Sequence, residues 1–209
     1  MSFSGIYPIT DDAFMNLPGH EEILSEVAGA GIAMLQFRAK HGDRDEARRQ
    51  VARLLAICRR HEVPLIINDD VRLCAQSGAD GVHLGRTDAD IADARSALGA
   101  GAIIGATCHD SLELARSAQV QGADYVAFGR LFPSVSKPEA PPARLEILQA
   151  ARESLDLPIT GIGGIDRDNA AQALAAGADL LAVIHAIFGA SDPGAATREL
   201  VRTHAEYAG

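Results

Sequence analysis

One phrase returns four times along this 209-residue chain. It reads GAGIAMLQ at 29–36, GADGVHLG at 78–85, GADYVAFG at 122–129 and GADLLAVI at 177–184. Each copy is a helix ending at a glycine, followed by a short apolar strand; glycine just past the last turn is the expected helix stop. Between the copies lie GIYPIT (5–10), PLIIND (64–69), AIIGAT (102–107) and PITGIG (158–163). These segments follow Pro or Gly punctuation and run apolar without strict alternation. A strand that is apolar on both faces belongs in a parallel sheet covered on both sides.

The intervening segments carry helical periodicity. Over 43–62, Val51, Leu54, Leu55 and Cys58 recur at helical spacing against Arg48, Arg49, Arg53 and Arg59. Segments 88–98, 109–121, 143–155 and 166–176 behave the same way, each with a polar residue at its start to cap the first turn. Eight strands, each followed by a helix or helical turn, predict an α/β protein, a single (β/α)8 TIM barrel over residues 1–209. An open doubly wound sheet is the rival, but it needs neither eight regular units nor the fourfold phrase. At this length the barrel leaves no room for a second domain.

Composition removes several classes of function. The chain has 19 basic and 28 acidic residues, a formal charge of −9, no Trp and 4% aromatics. Such a chain lacks the basic footprint and stacking platforms that nucleic acid requires. The segment MSFSGIYPITDD has no basic, apolar leader pattern, and apolar runs stay far below the roughly 18 residues of a membrane span. Cys58, Cys74 and Cys108 are odd in number and lack CxxC spacing, as expected of reduced thiols in a cytoplasmic protein. No nucleic-acid or membrane partner is expected. Of the basic residues only two are lysines, Lys40 and Lys137, and codon preference does not explain where they sit.

In a barrel of this kind chemistry collects where strands end and helices begin. The second strand ends in Gln36-Phe37-Arg38-Ala39-Lys40. Alternation points Gln36, Arg38 and Lys40 one way, an outline of a receptor for a large anion such as pyrophosphate. A solvated charged loop is the plainer alternative. The third strand ends in Asn68-Asp69-Asp70, where Asp70 reads as a helix cap. Asp88 follows the fourth strand as either a cap or, with Asp69, a carboxylate pair suited to Mg²⁺ beside phosphate oxygens. His83 lies inside a strand and reads as a core histidine. Thr107 offers a hydroxyl at the end of the fifth strand, and His109 reads as the start of a helix. The long stretch Gly129–Arg144 carries Ser134, Val135, Ser136 and Lys137 and reads as either a mobile lid or a disordered loop, its lysine favouring the lid. Gly163-Gly164, before a helix, and Ile184-His185 at the last strand form the usual phosphate side of this fold. Two anion sites face each other, which implies transfer of a group from pyrophosphate to a phosphorylated acceptor.

At these residues the sequence resembles the thiamine-phosphate synthase (thiamine-phosphate pyrophosphorylase) family. YPITD, QFRAK, IINDD, GADGVHLG with Asp88, GADYVAFG, FPSVSK and IGGI carry the likeness over nearly the whole chain. The resemblance implies a transferase that joins a hydroxymethylpyrimidine pyrophosphate to a thiazole phosphate and releases pyrophosphate. It implies that Gln36, Phe37, Arg38, Ala39, Lys40, Asn68, Thr107 and Lys137 bind the pyrimidine pyrophosphate, with Arg38, Lys40 and Lys137 stabilising the leaving group. Asp69 and Asp88 would hold Mg²⁺. Ser134, Val135, Ser136, Gly164, Ile184 and His185 would receive the thiazole phosphate. The partners implied are these two small molecules, with room for a homodimer.

The chain departs from the family pattern at Thr107 and His185, where serine is usual, and at Arg86, where glutamine is common. Ser134 and Ser136 stand where threonines are usual, and Ala143-Arg144 near a frequent glycine. Two other readings compete. A thiazole tautomerase of the same barrel would want a poised histidine, and His109 and His185 are available. A non-catalytic phosphate-binding relative would be expected to lack Asp69, Asp88 or Lys137, and all three are present.

Overall fold

The computed structural model describes residues 3–39, 43–85, 88–134 and 141–208. Eight strands form one parallel sheet: β1 (Gly5–Pro8), β2 (Leu35–Phe37), β3 (Leu65–Asn68), β4 (Gly81–Leu84), β5 (Ile103–His109), β6 (Tyr125–Phe128), β7 (Ile159–Ile162) and β8 (Leu180–Val183). The hydrogen-bonded order runs β1-β8-β7-β6-β5-β4-β3-β2. The two end strands meet again through the Ile9–Gln36 bridge. At that seam the Ala33 amide donates to Ile6 O and the Thr10 amide to Gln36 O, both at 2.9 Å. The Arg38 amide adds a bond to Thr10 Oγ1 at 3.0 Å. The sheet thus closes into the predicted barrel.

Helices cover the outside. β1 is followed by α1 (Asp12–Met15) and α2 (His20–Gly29), β2 by α3 (Arg44–Arg60), β3 by α4 (Val71–Ser77) and β4 by α5 (Ile91–Leu98). Then come α6 (Leu112–Val120), α7 (Glu146–Arg152) and α8 (Ala170–Ala175) after β5, β6 and β7. Two helices, α9 (His185–Phe188) and α10 (Pro193–Ala208), follow β8. The face of α3 that carries Val51, Leu54, Leu55 and Cys58 is buried, as its periodicity predicts. Among the described residues no helix is long and apolar enough to cross a membrane, and the three cysteines are free thiols, all buried.

Period-two alternation splits each strand between two cores. Outward side chains such as Leu35, Phe37, Leu65, Ile67 and Val82 pack beneath the helices. Inward ones, among them Ile9, Met34, Ile66, Ile103 and Leu180, fill the barrel. Fully burying one such side chain stabilises the fold by roughly 1.5–3 kcal/mol.

The recurring phrase has a structural cause at the bottom of the barrel. In three of its copies the residue after Gly-Ala is aspartate, and each carboxylate caps the preceding strand. Asp80 Oδ2 accepts the Leu65 amide of β3 at 2.8 Å. Asp124 Oδ2 accepts the Ile104 amide of β5 at 2.7 Å, and Asp179 Oδ2 the Ile159 amide of β7 at 2.7 Å. In a parallel sheet the chain entering one strand lies beside the start of its neighbour. A short acceptor there satisfies an amide that has no ladder partner.

Several helix starts differ from the sequence reading. β5 runs on through Cys108 and His109, with a register shift against β6 between Thr107 and His109. His109 has φ of 53°, so the strand turns out of the sheet there and α6 starts only at Leu112, capped by Ser111. Asp90, not Asp88, caps α5, its side chain accepting the Ala92 amide at 2.9 Å. Asp88 is thereby left for another role.

Candidate active site

A cavity of about 620 Å³ opens at the carboxyl ends of the strands. The sequence-predicted residues Gln36, Arg38, Asn68, Asp69, Asp88 and Thr107 line one side, and Ser134, Gly164, Ile184 and His185 line the other. Phe37 and Ala39 do not reach it. Alternation turns Phe37 outward into the core beneath the helices, and Ala39 is solvent-exposed. Lys40, Val135, Ser136 and Lys137 lie outside the described residues.

His83 is only 9% exposed, buried as the sequence reading expects, but it also lines the cavity. It belongs to a hydrogen-bonded chain across the barrel floor. Gln36 Nε2 donates to Tyr7 Oη at 2.7 Å, and Tyr7 and Tyr125 hydroxyls meet at 2.8 Å. His83 Nδ1 lies 2.9 Å from Tyr125 Oη, and His83 Nε2 lies 2.8 Å from Thr107 Oγ1. One direction of donation satisfies every link: Gln36 to Tyr7, Tyr7 to Tyr125, Tyr125 to His83 Nδ1, and His83 Nε2–H to Thr107. Thr107 itself lines the cavity. Burial pushes the hydroxyls of Tyr7 and Tyr125 well above their ordinary value, so both remain protonated donors.

Gly105 makes this chain possible. A Cβ there would sit 2.0 Å from Tyr125 Cζ, so only glycine lets the Tyr125 ring cross the barrel. The ring stacks on His83 at 5.5 Å between centroids and meets Tyr7 edge-on at 5.9 Å. Tyr7 and Tyr125 were not singled out from sequence. Their signal was a polar-tipped aromatic at an inward position of an otherwise aliphatic strand.

Above this floor stand the charged groups. Arg38 is only 8% exposed, and no carboxylate pairs with it among the described residues. A buried guanidinium without a carboxylate is an anion site by construction. Asp69 has φ of 64°; its amide donates to His83 O at 2.8 Å and its Oδ2 accepts Asn68 Nδ2 at 2.5 Å. Asp88 Oδ2 accepts the Gly85 amide at 2.6 Å. No cluster of three or more His, Cys, Asp or Glu side chains able to hold a metal occurs among the described residues. Two carboxylates on the rim of an anion site nonetheless fit Mg²⁺, which takes one or two carboxylates and completes its shell with phosphate oxygens and water.

The opposite wall is built from backbone. Gly163 and Gly164 have φ of 100° and 66°, and Asn169 Nδ2 donates to Gly164 O at 2.8 Å, fixing that peptide. Their lack of Cβ also serves packing. A Cβ on Gly164 would lie 2.2 Å from Pro133 O, and one on Gly163 would lie 2.7 Å from Arg130 Cα. The Leu131 and Phe132 amides donate to Ile162 O and Gly163 O at 3.0 and 2.9 Å. So the segment after β6 is laid directly over the glycine pair. The exposed His185 ring folds back against Gly189.

Residues 6–187 match the Thiamine monophosphate synthase family. The chain is 48% identical over 204 residues to the thiamine-phosphate synthase of Thiobacillus denitrificans, covering 96% of this chain and 95% of that protein. It is 50% identical over 195 residues to the one of Methylobacillus flagellatus, covering 93% and 92%. The solved thiamine phosphate pyrophosphorylase from Pyrococcus furiosus superposes with a TM-score of 0.89 at 34% identity, over 100% of this chain and 98% of that one. With a family match over residues 6–187, close relatives and the same barrel, the chain belongs to the thiamine monophosphate synthase family.

Proposed function

We propose that this chain is a thiamine-phosphate synthase that joins hydroxymethylpyrimidine pyrophosphate to a thiazole phosphate within this one cavity. The observation that carries the reading is the buried Arg38, unpaired with any described carboxylate and facing two aspartates and a neutral backbone wall. Such a site takes a polyanion on the β2–β4 side and a smaller anion on the β7–β8 side.

The C–O bond between the pyrimidine methylene and pyrophosphate breaks, and its electron pair leaves with the pyrophosphate. The thiazole nitrogen lone pair then forms the new C–N bond. No protein nucleophile is required, and no proton has to be removed. The chain's own task is to hold both partners, stabilise the departing charge and exclude water. Arg38 supports the leaving pyrophosphate, together with Asn68. Lys40 and Lys137, outside the described residues, are assigned the same role by resemblance. The floor of Gln36, Tyr7, Tyr125, His83 and Thr107 presents fixed donors and acceptors to the aminopyrimidine edge. Asp69 and Asp88 would hold Mg²⁺, which when bound supplies neutralising charge to the pyrophosphate. Gly164, Ile184, His185 and Ser134 receive the thiazole phosphate, with Val135 and Ser136 assigned there by resemblance.

The test is a steady-state assay with both substrates and Mg²⁺. Thiamine phosphate and pyrophosphate are expected in equal amounts. Consumption of the thiazole phosphate alone, with no pyrophosphate released, would show an isomerase instead.

A further inference from the structure

Among the described residues two buried side-chain atoms find no hydrogen-bond partner, Arg130 Nε and Thr160 Oγ1. Both residues line the active-site cavity, and both lie on one side of it, Arg130 directly after β6 and Thr160 on β7. A native fold rarely leaves such atoms unpaired, and two on one cavity wall mark a surface that lacks its ligand.

Arg130 is the informative one. Its backbone is held from both sides: its amide donates to Pro141 O at 3.4 Å, and its carbonyl accepts the Ala143 amide at 2.8 Å. Its side chain packs on Gly163, whose missing Cβ would lie 2.8 Å from Arg130 Cγ. No carboxylate pairs with its guanidinium among the described residues. Asp166, the acidic neighbour on this wall, is already used, its Oδ1 accepting the Asp168 and Asn169 amides at 2.9 and 3.2 Å. The result is a positioned, half-buried cation with an unspent donor beside the Gly163-Gly164 backbone. Asp69 and Asp88, which follow β3 and β4, stand across the barrel.

The geometry points to Arg130 as the cation that binds the phosphate of the acceptor substrate and so selects the phosphorylated acceptor over its free alcohol. This rests on the proposed reaction and adds to it a charged residue on what is otherwise a backbone wall. A guanidinium offers a phosphate two parallel donors, one of them the Nε–H that is orphaned here.

Arg130→Gln and Arg130→Lys are compared with the parent chain. For Arg130→Gln the acceptor KM should rise on the order of 10- to 100-fold, the worth of a hydrogen bond to a charged group, while the pyrimidine-pyrophosphate KM stays within about twofold. The preference for phosphorylated over unphosphorylated acceptor should shrink by the same factor. Arg130→Lys keeps the charge, loses the forked donor and should fall between. If Arg130→Gln fails to fold, the lysine variant carries the test alone.

A second measurement needs no turnover. With Mg²⁺ and pyrophosphate saturating the Arg38 side, added inorganic phosphate should raise the melting temperature of the parent chain further, raise that of Arg130→Lys less, and leave that of Arg130→Gln unchanged. Pyrophosphate with Mg²⁺ should stabilise all of them. Phosphate protection equal to the parent's in either variant, or an unchanged acceptor KM, would overturn the assignment. Equal loss of both ligands would place Arg130 on the pyrophosphate side, which also overturns it. A parent chain with no turnover would defeat the functional reading, while the phosphate arm would still decide the role of Arg130.

Discussion

At the scale of single residues, the site is governed by buried polar groups whose partners are few. Tyr125 Oη bridges the Tyr7 hydroxyl and His83 Nδ1. Tyr125→Phe leaves the rings in place and strands both neighbours, so stability should fall by about 1–3 kcal/mol. Denaturant unfolding checks that loss. The same variant should raise the KM for the pyrimidine pyrophosphate about tenfold, the effect of one lost hydrogen bond in binding, and leave the thiazole-phosphate KM alone. Asp69 asks a different question. Its left-handed backbone is one that asparagine also tolerates, and the Asn68 contact survives the exchange. Asp69→Asn should therefore melt within about 2 °C of the parent chain, a shift of at most about 1 kcal/mol for a domain of this size. Its turnover should drop on the order of 10²- to 10³-fold if the carboxylate serves a metal. Full activity in excess chelator would remove the metal from the scheme. Both tests depend on which way a side chain faces. That was legible for Gln36 and Arg38 from alternation, but not for His83, whose strand also alternates but whose phase the sequence leaves open.

At the scale of elements, the repeated Gly-Ala-Asp phrase is a device for starting strands. Asp124 accepts the Ile104 amide and pairs with Arg95 at 2.6 Å, and Arg95 also donates to the Gly122 carbonyl. Asp124→Ala removes the acceptor for a buried amide and should cost about 1–3 kcal/mol; the partly exposed ion pair adds little. Activity per folded molecule should remain near the parent value, because the bottom of the barrel is far from the chemistry. Asp80→Ala and Asp179→Ala should behave alike, since each carboxylate accepts an equivalent amide. A variant that melts normally but turns over slowly would contradict this division of labour. The repeat itself was plain in the sequence. Its physical reason was not, because the capped amide belongs to a strand 15 to 20 residues earlier in the chain.

At the scale of the whole molecule, the barrel isolates its thiols. Burial pushes Cys58, Cys74 and Cys108 up to about 12 from 9.0, the first cause in each case being loss of water, with Asp80 adding to it for Cys58 and Cys74. The folded chain thus keeps these protons to higher pH than the unfolded chain does. Their contribution to stability is whole below the unfolded thiol value, near 9, and is lost as pH rises toward about 12. Melting temperature should fall through this window, and Cys108→Ala should make the fall shallower. Alkylation of the native protein at pH 8 should be slow and should become fast on unfolding. Rapid labelling of the native chain would mean that the barrel opens far more often than its packing implies.

By itself the sequence determined the period of each segment, the eightfold alternation of strand and helix, and which residues end the strands. These are local properties, written in side-chain spacing and in Gly, Pro and Asp punctuation. It also placed Arg38, Asn68, Asp69, Asp88 and Thr107 together, because in a closed parallel barrel strand ends share one mouth. Tertiary structure decided what spacing cannot express. It turned His83, Tyr7 and Tyr125 inward to one continuous floor. It also set Arg130 beside Gly163, a contact between residues more than thirty positions apart. Each of these depends on which side chains meet across the barrel, and that is settled only when the sheet closes.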